Sequence, residues 1–531
     1  MDFIFGTLAT DELRQLHHKI ARQGVQHSHQ MSPLDPKPDE AVTITVYVGQ
    51  DVTAHQVACY YTTDGSVPAG SRGTVSNGSA FALNKIDTIW DTIAWGYVDV
   101  WQGIIPAQTE GTTVRYQISA WSTETEAFAD YPALKATTER AASAFFQGKT
   151  LPDLPPIGTT QPNTFTYTVD TYTAPTWAKG AIIYHIFVDR FYPGDDKAWL
   201  EPEALSGFFG GTLQGIVDKL DYITELGANC IWLSPTFPSP THHGYDITDY
   251  EHVEPRMGGD DALRALIHAA HARGIRIILD LVCNHCSNEH PYFVDAKQQE
   301  ASPYRDWFIF DDSPIGYETF FGVETMPMIN LKNPATRDWM IGIAQYWLRE
   351  FDVDGFRLDH ANGPGADFWA DFRKGCRTVK PDVFIFGEVV EAPTLLKSYV
   401  GRLDGLLDFT AEDLLRKCYG YESITEAEFE NFIQRHYSFF PSDFVMPTFL
   451  DNHDMDRFLY IAGDDKSKLM KAAARQFKLP NPPIIYYGTE VGLSQKIGKK
   501  DLEQSRLPMP WENQDQELFK FYQELIQARK R

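Results

Sequence analysis

The chain has 531 residues with 47 Lys and Arg against 72 Asp and Glu, a formal charge of −25, which repels phosphate backbones and argues against a nucleic-acid partner. With 43% hydrophobic and 22% charged residues it has the composition of a multidomain globular protein rather than a disordered one. No run approaches the roughly 20 apolar residues that span a bilayer, so no membrane partner is expected. The start, M-D-F-I-F-G-T-L-A-T-D-E-L, lacks the basic n-region and long apolar h-region of a signal peptide, so a cytoplasmic protein is expected. Cys59, Cys230, Cys283, Cys286, Cys376 and Cys418 form no disulfide framework. The C-x-x-C at 283–286 has no second pair, and it reads as buried reduced thiols rather than a zinc site.

Residues 1–40 read as a leader and linker. Leu13, Leu16 and Ile20 share one face of a short helix, and S-P-L-D-P-K-P-D-E follows. From about 41 the period becomes two: Val42, Ile44, Val46 and Val48, then Val114, Tyr116, Ile118 and Ala120, alternate with other residues between turn signals. This predicts an immunoglobulin-like β-sandwich over 41–172. Its exposed aromatics serve either packing or sugar stacking, and packing is the simpler use.

From Trp177 onward short, nearly continuous apolar runs alternate with helical stripes. The strand candidates lie at 182–187, 230–235, 275–282, 354–359, 383–389, 403–409, 445–451 and 484–488. Met340, Ile343, Ala344, Trp347 and Leu348 form one helical stripe; Leu263, Leu266, Ile267 and Ala270 form another, ended by Gly274. Eight strands with intervening helices predict a (β/α)8 TIM barrel over 177–531, with an inserted subdomain at about 286–335 after the third strand. An open doubly wound sheet is the competing topology.

Barrel active sites lie at the C-terminal ends of strands. Asp280, Asn284 and His285 end the third strand, Arg357, Asp359 and His360 the fourth, Glu388 the fifth, and Asp451 to Asp454 the seventh. Asp359, Glu388 and Asp454 would then enter one cleft from three strands. Two carboxylates flanking a bond are what glycoside hydrolysis requires, and a third nearby raises the acid's pKa by repulsion. The plainer alternative, that each acid caps a helix, loses ground beside Arg357, His285 and His453. No phosphate loop, nucleophile elbow or H-E-x-x-H motif competes.

These segments resemble the α-amylase superfamily, glycoside hydrolase family 13. The resemblance rests on D-L-V-C-N-H at 280–285, D-G-F-R-L-D-H-A at 354–361, F-G-E-V at 386–389 and F-L-D-N-H-D-M-D-R at 449–457. G-Y-D-I-T-D-Y at 244–250 and P-P-I-I-Y-Y-G-T-E-V-G at 482–492 support it. The resemblance implies Asp359 as nucleophile, Glu388 as general acid/base and Asp454 as the carboxylate that grips the sugar hydroxyls. It implies that Arg357 orients the nucleophile, that His285 and His453 bind the sugar, and that Tyr245 stacks on it. Asp246 and Arg457 would support that shell or form structural salt bridges.

Ala361 and Asn362 stand where many α-amylases have Lys-His, and D-H-A-N-G and M-P-M-I-N are closer to neopullulanases and cyclomaltodextrinases. The implied activity is retaining hydrolysis of α-1,4 bonds in cyclodextrins, maltooligosaccharides or related α-glucans, with α-1,6 bonds left open. An α-glucan transglycosylase, a plain α-amylase and, more remotely, a non-catalytic glycan-binding protein remain open. No cofactor is implied. D-R-F-Y-P-G-D at 189–195 resembles a calcium loop with Pro193 in place of a ligand, Asn284 is a second candidate, and calcium stays open. An oligosaccharide is the expected partner, a homodimer through the N-terminal domain the expected assembly, and the family's C-terminal β-domain is expected to be absent.

Overall fold

The computed structural model describes residues 11–131, 162–498 and 501–531. They fall into two compact units, one of Met1–Thr173, Gly365–Lys374 and Val390–Leu403, the other of Ala174–Pro364, Gly375–Val389 and Asp404–Arg531.

Among the described residues the first unit holds two five-stranded antiparallel sheets and the small hairpin Ala69–Ser71 with Thr74–Asn77. In one, Val42–Gly49 pairs with Gly96–Ile105, which pairs in turn with Asn84–Asp91. In the other, Thr113–Trp121 pairs with Gln56–Thr62, Glu126–Phe128 and Phe165–Thr168. The alternation seen in the sequence puts Val42, Ile44 and Val46 into one core with Tyr116, Ile118 and Phe165. Within the expected leader, Val25–Gln26 and Met31–Ser32 pair with Val42–Gly49, because Val25 and Met31 have that same core to fill. The Asp367 carboxylate joins this unit by accepting hydrogen bonds from His29 at 2.8 Å and Tyr131 at 2.5 Å. Residues 132–161 of the expected sandwich lie outside the described residues.

The second unit is built on a parallel sheet. In chain order its strands are Ile183–Ile186, Cys230–Leu233, Arg276–Leu281, Gly355–Leu358, Phe384–Gly387, Gly405–Leu406 and Ile484–Tyr486. Each of the first five pairs with the next, and the first also pairs with the last. The gap between the sixth and last strands is spanned by parallel bridges from Gly405 to Val445 and from Thr448 to Pro483. The ring therefore closes, which fits a (β/α)8 barrel; an open doubly wound sheet would keep two free edges.

The run 445–451 forms no regular strand. Pro447 has no N–H to give to a ladder, so only bridges flank it. The Pro447 carbonyl still accepts from the Asp408 amide at 3.0 Å. Gln476, from the helix Lys466–Gln476, donates its side-chain amide to the carbonyls of Thr448 at 2.8 Å and Ile484 at 3.1 Å. Between the third and fourth strands lie a helix, Pro291–Gln298, two single turns and bridges such as Phe308 to Ile329. Met340, Ile343, Ala344, Trp347 and Leu348 form the buried face of Pro334–Glu350, as their spacing predicts. All six cysteines are free and buried, and burial raises the thiol pKa of Cys283 and Cys286.

Asp354, at the foot of the fourth strand, is almost wholly buried. Burial alone would raise its pKa, but hydrogen bonds from His271, the Ile277 amide and Arg276, with the Lys380 charge, hold it at about 2. A carboxylate depressed in this way stabilises the fold above its unfolded pKa, and the gain disappears as pH falls from about 4 to about 2. Asp354→Asn should therefore lower the melting temperature by several degrees at pH 7. The gap to wild type should narrow on acidification to pH 3, as read by a calorimetric pH series; a constant gap would contradict it.

Candidate active site

Parallel register sets the site's first contact. Asp280 in the third strand lies directly beside Arg357 in the fourth. Arg357 Nη1 donates to both Asp280 oxygens at 2.8 and 2.9 Å and to Asp359 Oδ1 at 2.9 Å. Its Nη2 forms an ion pair with Glu388 at 2.8 Å. One guanidinium thus faces three carboxylates from three neighbouring strands.

Exposure divides their work. The side chains of Asp280 and Arg357 expose no surface, whereas Asp359 exposes 9%, Glu388 16% and Asp454 33%. Of these groups the last three are open to solvent. Asp280 is a fixed internal anion, also held by Tyr245 Oη at 3.0 Å and Trp232 Nε1 at 3.2 Å.

Burial raises the pKa of Asp280, Asp359 and Glu388, while Arg357 pulls each down. Repulsion from Asp359 and Asp454 raises Glu388 further, and repulsion from Asp280 and Asp454 likewise pushes Asp359 up, to about 7. A single buried cation does not balance three ionised acids, so the cluster favours retaining a proton.

Asp454 differs. Burial would raise it, but His453 Nε2 at 2.9 Å and Arg506 at 2.9 Å hold its carboxyl far below the ordinary range. His453 Nε2 also lies 2.7 Å from Tyr245 Oη, and the two rings stack with centroids 5.2 Å apart. His285 is buried and stacks on Phe320 at 4.3 Å. The structure therefore brings Asp359, Glu388, Asp454, Arg357, Tyr245 and His453 into one connected cluster.

Two expected supporting residues lie outside it. Asp246 is buried and accepts hydrogen bonds from the hydroxyls of Ser239 and Thr241, which fix the turn before Tyr245. Arg457 donates to the backbone carbonyls of Ser505 and Tyr487, so it holds loops together.

Sequence reasoning missed Arg506 and its partners. Arg506 ends the turn Leu502–Arg506 and also pairs with Glu503 at 2.9 Å, which in turn meets His242 at 2.8 Å. No periodic pattern marks this turn, and 52 residues separate Arg506 from Asp454. Asp280 was legible as a strand end, but its place under Arg357 needed the register.

The segment 189–195 does not fit a calcium ion. Asp189 accepts from the amides of Phe209 and Gly210 and pairs with Arg190, the Pro193 carbonyl accepts from Thr212, and Asp195 pairs with Lys197. Asn284 Oδ1 is buried without a hydrogen-bond partner, yet no group of three His, Cys, Asp or Glu among the described residues is arranged to hold a metal.

Residues 185–515 match the family described as Alpha amylase, catalytic domain. The chain belongs to the α-amylase family. It is 44% identical over 369 residues to "Alpha-amylase 2" of Dictyoglomus thermophilum, covering 68% of this chain and 65% of that protein. It is 35% identical over 386 residues to "Cyclomaltodextrinase" of Geobacillus thermopakistaniensis, covering 69% of this chain and 65% of that one. The matched part thus spans just under two thirds of these relatives. A solved structure named "Cyclomaltodextrinase" is similar with TM-score 0.65 and 28% identity, over 96% of this chain and 84% of that one.

Removing the Arg506 cation should raise the pKa of Asp454, whose charged form the site keeps. In Arg506→Ala the acid limb of the kcat/KM profile should move to higher pH, with about a tenfold to hundredfold loss near neutrality. Arg506→Lys should recover part of both effects. A uniform loss with an unmoved limb would mean that Arg506 only holds its loop.

Proposed function

We propose that this chain is a retaining α-glucan hydrolase that cleaves α-1,4 glucosidic bonds in cyclodextrins, maltooligosaccharides or related α-glucans. The observation that carries the reading is the set of three partly exposed carboxylates, Asp359, Glu388 and Asp454, around the buried Arg357–Asp280 pair. Glu388 holds the proton that the cluster retains and gives it to the glycosidic oxygen. Asp359 attacks the anomeric carbon as the bond to that oxygen breaks, giving a glycosyl-enzyme. Glu388 then takes a proton from water, whose oxygen displaces Asp359. Asp454, His453 and Tyr245 grip the sugar being cleaved, and His285 adds a further donor.

The names of the relatives favour two substrate readings, ring-opening of cyclodextrins and plain α-amylase action on starch. Ala361 and Asn362 after the nucleophile favour the first. The proposal takes 41–172 as a sandwich, 177–531 as the catalytic barrel and about 286–335 as its inserted subdomain. A homodimer through the sandwich and a cytoplasmic place of action belong to the same reading.

Asp359→Asn and Glu388→Gln should each lower kcat by about a thousandfold or more with the circular-dichroism spectrum unchanged. Azide should rescue cleavage of an activated aryl glycoside in Glu388→Ala, with the anomer retained. Chromatography of digests should show faster loss of β-cyclodextrin than of soluble starch. Starch as the faster substrate would restore the α-amylase reading, and activity within tenfold of wild type in either folded variant would remove the assigned roles.

A further inference from the structure

Two residues that are not glycine adopt left-handed backbone angles beside the site: His360 at φ 41° and Phe321 at φ 48°. A Cβ disfavours this region, and a bulky aromatic is a marked exception there. Such conformations persist where surrounding contacts hold them, and they concentrate at ligand sites. Phe321 also exposes 45% of its surface, which burial of its ring would not explain.

Its neighbours tie it to the chemistry. Phe321 lies edge-on to the His360 ring with centroids 5.3 Å apart and edge-on to Phe320 at 4.6 Å. Phe320 meets His360 at 4.9 Å on one side and stacks on His285 on the other. His360 directly follows Asp359, and its amide donates to Glu388 Oε2 at 3.2 Å. The carboxyl that protonates the departing oxygen therefore touches the backbone of the residue on which Phe321 packs. Tyr245, His453 and Arg506 gather instead around Asp454.

We propose that Phe321 is a specificity-determining residue on the leaving-group side, where its exposed ring stacks on the apolar face of a glucosyl unit beyond the scissile bond. The inference rests on the α-glucan reading above and adds a residue that none of the four sequence signatures contains. Stacking there aligns the leaving oxygen with Glu388 and, after its departure, retains a sugar hydroxyl that can compete with water for the glycosyl-enzyme.

The test compares a substrate with a leaving sugar to one without. Maltotetraose presents a glucosyl leaving group, whereas α-maltosyl fluoride loses only fluoride and has nothing to stack. Phe321→Gly suits the backbone angle, so the melting temperature should hold or rise. Its kcat/KM should fall at least tenfold on maltotetraose and less than twofold on the fluoride, with fewer transfer products at high maltose. Phe321→Trp should restore maltotetraose cleavage. Equal losses on both substrates, or no loss on maltotetraose, would overturn the proposal. A wild-type enzyme inert on both would instead overturn the α-glucan reading itself.

Discussion

Everything in the catalytic unit is arranged about one buried guanidinium. Arg357 is held in a strand, exposes no surface and meets carboxylates from its own strand and both neighbours. Taking such a cation out of water is costly, and only several close anions make it tolerable. The arrangement is reciprocal. Without Arg357 the three acids would repel one another, and without the acids the arginine could not remain inside. Because Asp280 is sealed and fully bonded, it tunes the field without taking part, leaving the exposed acids to differ in proton affinity. Asp454 has partners of its own, His453 and Arg506, which act together with the field of Arg357 to keep it ionised.

Much of this was written in the sequence. Short apolar runs marked all seven regular strands to within a few residues, and the acids at the ends of two of them marked the positions of Asp359 and Glu388. The expected strand at 445–451 failed for a visible reason, since Pro447 cannot donate to a ladder. Arg506 was illegible because it sits on a single turn with no period, and its role comes only from what the fold sets beside it. Phe321 was hidden differently: an aromatic at a left-handed angle looks like any loop aromatic until the angle is known.

The leader stretch teaches a related lesson. Prolines and charges around 33–40 read as linker, yet Val25 and Met31 just before them are buried strand residues. Two-residue strands carry no periodicity to detect, and only the unfilled core of the neighbouring sheet calls for them. Composition identifies the break in a chain more readily than the side of the break to which a short apolar pair belongs.

The ring also has a seam. Most neighbouring strands are joined by runs of backbone pairs, but at Val445–Thr448 the closure is made by isolated bridges, the backbone hydrogen bonds around them and the side chain of Gln476. The chain leaving the seam is Asp451, Asn452, His453 and Asp454. Asp454 thus follows an irregular join in the ring, while Asp359 and Glu388 directly follow regular strands.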